Sequence, residues 1–229
     1  MKEFKIITFT ANPKRYYHDS IEENERLRRE GYVKHSAIDM PLGCSRYGGP
    51  VFDMPKGLTP PEDLAFVAQL DLKEFSKYDQ NNLLPETGQL IFFADMIEEE
   101  YKVIYSTVDN SQLERQVQVH DGDFWDGVLI DQIASDVETW DEDDLILDRD
   151  EIYAIGDKYE ERSGISKIFG VFTNLETSDE EVNQKIENDE LVLLQVGESG
   201  FNDEGVLTVT IPKEDLIKRN FDRCVFYYG

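Results

Sequence analysis

Three short segments of this chain recur in the same order roughly 117 to 126 residues further on, and such self-similarity restricts the fold more than any single motif. Ser45-Arg46-Tyr47-Gly48-Gly49-Pro50-Val51-Phe52 matches Ser166-Lys167-Ile168-Phe169-Gly170-Val171-Phe172. Val67-Ala68-Gln69-Leu70-Asp71 matches Leu193-Leu194-Gln195-Val196-Gly197, and Gly88-Gln89-Leu90-Ile91-Phe92-Phe93 matches Gly205-Val206-Leu207-Thr208-Val209-Thr210. Each copy reads as a glycine turn, a strand with a central glutamine, a loop, and a glycine-led strand. Half-domains of this kind bury their apolar faces against each other. The chain therefore reads as one domain over residues 1–229, with internal repeats at about 45–108 and 166–228 sharing one core.

The β-branched and aromatic runs at Phe4 to Thr8, Leu64 to Leu72, Gln89 to Asp95 and Tyr101 to Val108 are predicted strands. Asp19 or Ser20 is positioned to cap a surface helix that runs to Arg29 and stops at Gly31. Between Gly43 and Pro61 glycines and prolines are so dense that a long connection without regular structure is expected. Ser178-Asp179-Glu180-Glu181 has the form of a capping box, with Val182 and Ile186 spaced for a short helix behind it. The first copy has Pro55 to Asp63 at that place, which forbids a long helix.

Acids outnumber bases by 49 to 23, and the excess is uneven. The stretch from about 121 to 161 holds 16 acids and 2 bases, so more than half of the net charge of −26 falls in an acidic insert between the repeats. That segment also carries Phe124, Trp125, Trp140 and a helix-like Ile152, Ile155, Tyr159 spacing, so it is expected to fold onto the core with its acids outward, the tryptophans acting as core anchors. Such charge argues against nucleic acid or an anionic membrane as partner, since both are met by clustered Lys and Arg. The aromatic content argues against disorder. No run approaches the ~20 apolar residues of a membrane span. The opening residues are too charged for a signal peptide, and two cysteines, Cys44 and Cys224, make no disulfide framework, so a cytoplasmic setting is expected.

Few residues point to chemistry. Asp121, Asp123, Asp126 and Asp131 fail the spacing of a calcium loop, because placing Gly127 at its sixth position puts Gly122 at its first. His18, His35 and His120 share no zinc-ligand spacing with either cysteine. Cys44 has no histidine near it in sequence to serve as a base. Neither a metal nor a cofactor is expected.

Two candidate sites remain. Gln69 and Gln195 each interrupt an apolar strand, and either pin it to backbone near the glycine turn or join Tyr47, Gly48 and Gly49 as ligand contacts in a cleft between the repeats. The acids Asp136, Glu138, Asp141, Glu142, Asp143, Asp144 and Asp148 are the candidate face for a basic protein partner, as in an immunity protein or nuclease inhibitor. A non-enzymatic interaction protein is the favoured expectation, and a small-ligand binder or enzyme the alternative.

The chain resembles the YwqG-like bacterial proteins, a domain of unknown function. The resemblance rests on Ser45 to Pro50, Phe66-Val67-Ala68-Gln69-Leu70-Asp71-Leu72, Leu84-Pro85 before Gly88-Gln89-Leu90, Tyr101 to Tyr105, Leu193-Leu194-Gln195-Val196, and Asp215-Leu216 before Asn220-Phe221. It covers about residues 40 to 229. It implies an α+β fold that is mainly antiparallel β, with duplicated roll-like halves, few short surface helices and no established activity. Where the family's second copy carries a Gly-Asp-x-Gly turn, this chain has Asn202-Asp203-Glu204-Gly205.

Overall fold

The computed structural model describes residues 1–12, 40–95, 100–118, 127–141, 147–148, 154–155, 162–174, 178–197 and 205–229, with backbone alone at 147–148, 154–155 and 179. In chain order its elements are β1 (Lys2–Ala11), β2 (Arg46–Tyr47), β3 (Val51–Pro55), β4 (Ala65–Asp71), α1 (Leu72–Phe75), β5 (Gln89–Asp95), β6 (Glu100–Ser106), β7 (Leu113–Val117) and β8 (Val128–Trp140). Then follow β9 (Leu147–Asp148), β10 (Ala154–Ile155), β11 (Lys167–Ile168), α2 (Asp179–Glu187), β12 (Glu190–Val196), β13 (Leu207–Pro212), α3 (Lys213–Lys218) and β14 (Val225–Tyr228). The fold is mainly antiparallel β with short helices.

Two compact units interleave along the chain. One comprises Ala11–Lys77 and Pro85–Gln132, and holds most of residues 45–108. The other comprises Met1–Thr10, Tyr78–Leu84 and Ile133–Gly229, and holds residues 166–228.

In the first unit the strand order is β8-β2-β4-β5-β6, with β8 contributing its residues 128–132, and β3 pairs separately with β7. β4 and β5 are buried nearly throughout. Phe52 and Met54 from β3 pack with Leu64, Phe66, Ile91 and Phe93. The rings of Phe52 and Phe66 stack at 5.5 Å, and Phe52 meets Phe93 edge-on at 5.2 Å. Each such ring contributes roughly 1.5–3 kcal/mol through burial.

In the second unit the order is β14-β13-β12-β11-β1. α2 opens with the anticipated capping box: Ser178 Oγ accepts from Glu181 N–H while the Glu181 carboxylate accepts from Ser178 N–H. Its Val182 packs with Trp140, Val171, Phe172, Val192 and Val206, and Ile186 lies against that cluster.

The internal plans of the two units correspond. Each has its glutamine strand between a two-residue strand and the glycine-led strand. In β4 the register against β5 slips between Phe66 and Ala68, and in β12 the register against β13 slips between Val192 and Leu194. The bulged residues, Val67 and Leu193, each precede the strand's glutamine by two. The turn after the short strand is left-handed at two successive residues in both, Gly48 and Gly49 at φ 64° and 66°, Phe169 and Gly170 at φ 68° and 88°.

Several expectations are corrected. The Gly43–Pro61 stretch contains β2 and β3, because its glycines fall at the corner between the strands and Pro55 at the end of β3. Leu72 opens α1 and does not extend β4. Ile155, placed in a helical spacing, lies in β10, which pairs with β9. β7 and the 13-residue β8 had no forecast. The helix expected to end at Arg29 lies outside the described residues.

Candidate functional site

The short strands place one cation opposite each glutamine. In the register of β2 with β4, Arg46 stands opposite Gln69, and in that of β11 with β12, Lys167 stands opposite Gln195. All four side chains are completely buried. A buried charge costs several kcal/mol unless paired and hydrogen-bonded, so the surroundings of the two cations decide what each site is.

Around Arg46 the account of donors and acceptors closes. Its Nε donates to Val51 O at 2.9 Å and Nη1 to Cys44 O at 2.8 Å. Its Nη2 donates to Asp53 Oδ2 and to Gln69 Oε1, both at 2.9 Å. Asp53 also accepts from Gly43 N–H at 2.8 Å and from Arg115 Nε at 3.0 Å. Burial raises the Asp53 carboxyl, but the Arg46 charge, the Arg115 hydrogen bond and the Gly43 N–H together outweigh it and hold the group below its ordinary value. Gln69 Oε1 accepts in addition from Asp53 N–H, while its Nε2 donates to Asp53 O at 3.1 Å and to Gln89 Oε1 at 3.0 Å. The chain of bonds continues from Gln89 to Asn110 and from Asn110 to Asp71.

Lys167 meets a carboxylate from β8. Its Nζ lies 2.7 Å from both oxygens of Glu138. Arg162 Nε donates to the same carboxylate at 3.0 Å and Val171 N–H at 2.8 Å. Burial pushes the Lys167 ammonium below its ordinary value, against the pull of Glu138. A Cβ on Gly170 would overlap Glu138 Oε2, so the left-handed glycine there also makes room for the carboxylate. Arg162 sits 5.0 Å over the Trp140 ring.

Gln195 departs from Gln69 at this point. Its Nε2 donates to Arg162 O at 3.1 Å and Ile165 O at 2.8 Å, whereas its buried Oε1 has no hydrogen-bond partner among the described residues. An ammonium has a shorter reach than a guanidinium fork, and that of Lys167 is turned to Glu138.

The remaining sequence candidates separate. Tyr47 is buried between Ala68 and Val128, and Gly48 and Gly49 form the buried turn. Asp136 is exposed on β8 and Asp141 is half-buried, 3.2 Å from the amino terminus. Glu138 is removed from the acidic face: between the exposed Val137 and Thr139 its side chain turns inward, to Lys167 and Arg162. Glu142, Asp143, Asp144 and the side chain of Asp148 lie outside the described residues, as do the three histidines, Trp125, Asp121, Asp123 and Asp126. Trp140 is a core residue whose Nε1 donates to Asn183 Oδ1 at 2.7 Å. Cys44 and Cys224 are both free, and burial, with help from Asp222 and Asp215, pushes the Cys224 thiol up to about 12.

The sequence reading missed Arg46, Lys167 and Asp53, and named Glu138 only for the acidic face. The cations had a signal, since a Ser-cation pair begins both matched segments at Ser45-Arg46 and Ser166-Lys167. The carboxylates had none in common, Asp53 coming from β3 and Glu138 from β8.

These features define a mainly antiparallel β protein with a buried cation–glutamine pair and an ion cluster in each of two units. The chain belongs to the family described as a domain of unknown function, DUF1963, whose model matches residues 45–229. No curated protein matches the chain. Among the described residues, no helix is long and apolar enough to cross a membrane.

Proposed function

We propose that this protein is a non-enzymatic interaction protein that offers an acidic surface to a basic protein, in the manner of an immunity protein or inhibitor. The observation that carries this reading is where the charge goes. The buried cations Arg46, Arg115, Arg162 and Lys167 are engaged by Asp53 and Glu138, while Asp131 and Asp136 of the acid-rich segment are exposed. Opposite-sign surfaces accelerate encounter, and the advantage falls with salt. The test is capture from the native host by wild type and by Asp131→Lys/Asp136→Lys. A basic protein held at low salt, released near 0.5 M salt and lost in the variant supports the reading. Capture that is indifferent to both salt and variant contradicts it.

A second reading keeps Tyr47, Gly48, Gly49, Gln69 and Gln195 as ligand contacts, with small-molecule binding or catalysis as the function. Its support is the buried Gln195 Oε1, which has no donor among the described residues. Both ends of the Gln69 amide are already engaged. A ligand that raises the melting temperature of wild type but not of Gln195→Leu would favour it.

The kinship proposed within the family is with its YwqG-like bacterial members, supported by the motifs around Ser45 to Pro50 and Gly88 to Phe93. Descent of the two units from one duplicated segment is supported by the matched strand orders, the bulges two residues before Gln69 and Gln195, and the paired left-handed turns. A cytoplasmic location is supported by the two free cysteines.

A further inference from the structure

An open groove of about 920 Å³ runs through the first unit, lined by residues 58–64 and by every residue from Glu100 to Tyr105. Side chains of a strand alternate between its two faces, so a groove touching six successive residues of β6 follows the strand's edge and does not lie over one face. β6 is also the terminal strand of that unit's order among the described residues. The opposite wall is stiff, since Pro60 and Pro61 fix their own φ angles. Two large apolar side chains stay open to solvent here, Leu58 at 44% and Tyr101 at 36%. The exposed charges at the groove are Glu62, Asp63 and Glu100 against Lys102. This is an apolar track with an acidic margin.

We propose that this groove binds an extended peptide segment, apolar at alternate positions and carrying Lys or Arg between them, laid alongside β6. Length, pattern and charge each follow from the site. Six residues of strand span roughly 20 Å, so the segment is about six residues long. Leu58 and Tyr101 take its apolar side chains, an aromatic anchor being a common hot spot. Glu62, Asp63 and Glu100 take its cations, in a protein whose net charge of −26 already repels acidic segments. An extended ligand beside a terminal strand is a recurrent mode of peptide recognition. The site is independent of the acidic stretch of β8, since it is built from different residues, and either can fail without the other.

The probe is a phage-displayed library of random peptides of about ten residues, selected on the full chain. Individual binders are then measured by fluorescence anisotropy. Recovered sequences are expected to interleave Lys or Arg with Val, Ile or Tyr. Leu58→Ala/Tyr101→Ala should weaken them by at least about tenfold. Glu62→Lys/Asp63→Lys should weaken them similarly at low salt while leaving melting unchanged, since both side chains are exposed. Asp131→Lys/Asp136→Lys should leave them unaffected. No enrichment over the input library, enrichment of acidic sequences, or affinity that follows peptide charge alone and is untouched by Leu58→Ala/Tyr101→Ala would each overturn the proposal.

Discussion

Ser45 Oγ accepts a hydrogen bond from the Asp71 N–H at 3.0 Å, tying the residue before the buried cation to the residue two past the glutamine. The second unit repeats this bond, with Ser166 Oγ accepting from Gly197 N–H at 3.1 Å. In both, a serine hydroxyl fixes the short strand against the glutamine strand, and the cation that follows is carried into the interior. The two sites then diverge in which carboxylate reaches the cation and in whether the cation also reaches the glutamine. Asp53 comes from the strand just after the turn, Glu138 from β8.

Gln69 and Gln195 are therefore unequal in what they support. Gln69→Leu strips partners from Arg46, Gln89 and both backbone groups of Asp53, and should cost about 3 kcal/mol or more in urea denaturation. Gln195→Leu strands the Arg162 and Ile165 carbonyls but removes an oxygen that has no donor among the described residues, and should cost about 1–2 kcal/mol. Equal losses would count against the assigned networks.

Asp53→Asn leaves Arg46 buried without its counter-charge and should destabilise by about 3–5 kcal/mol. The pH dependence has a definite sign. The Asp53 carboxyl lies below its ordinary value of 3.8 in the folded state, so its contribution is present above about pH 4 and is lost as pH falls through the lowered native value. Urea midpoints measured downward from about pH 5 should fall less steeply in the variant, by up to about 1.4 kcal/mol per pH unit over that window.

Much of residues 64–95 was legible in sequence because β4 and β5 are near-continuous apolar runs, and α2 was legible because its capping box is local. β2 was hidden by its size, two residues before a pair of glycines. β8 was hidden by its exposure: four successive residues from 134 to 137 face solvent, so no alternation marks it as a strand. The partners of the buried cations were not legible either. Asp53 and Arg115 are 62 residues apart, Glu138 and Lys167 29, and only folding brings them together.

Gly170 and Gly57 both have positive φ, 88° and 81°, but differ in their space. Alanine at Gly57 meets nothing within 4 Å and should cost about 1 kcal/mol from backbone strain. Alanine at Gly170 adds an overlap with the Glu138 carboxylate and with Ile6, and should cost at least about 3 kcal/mol. Denaturant melts of the two variants side by side give the comparison.

The thiols offer a chemical readout. Cys224 is buried with its thiol pushed up to about 12, and Cys44 is partly exposed. A chromogenic disulfide reagent near neutral pH should label Cys44 alone in the folded chain, and Cys224 only after denaturant is added. Rapid labelling of Cys224 in the Cys44→Ser variant under native conditions would show that its burial is misassigned.

The equivalence of Arg46 and Lys167 is tested most directly by the unfolding free energy of Lys167→Arg beside that of Lys167→Met. A guanidinium at this position can keep Glu138 and also reach Gln195 Oε1, as Arg46 reaches Gln69, so Lys167→Arg should stay within about 1 kcal/mol of wild type while Lys167→Met loses at least about 3 kcal/mol. Equal, large losses in both variants would contradict the shared plan of the two units.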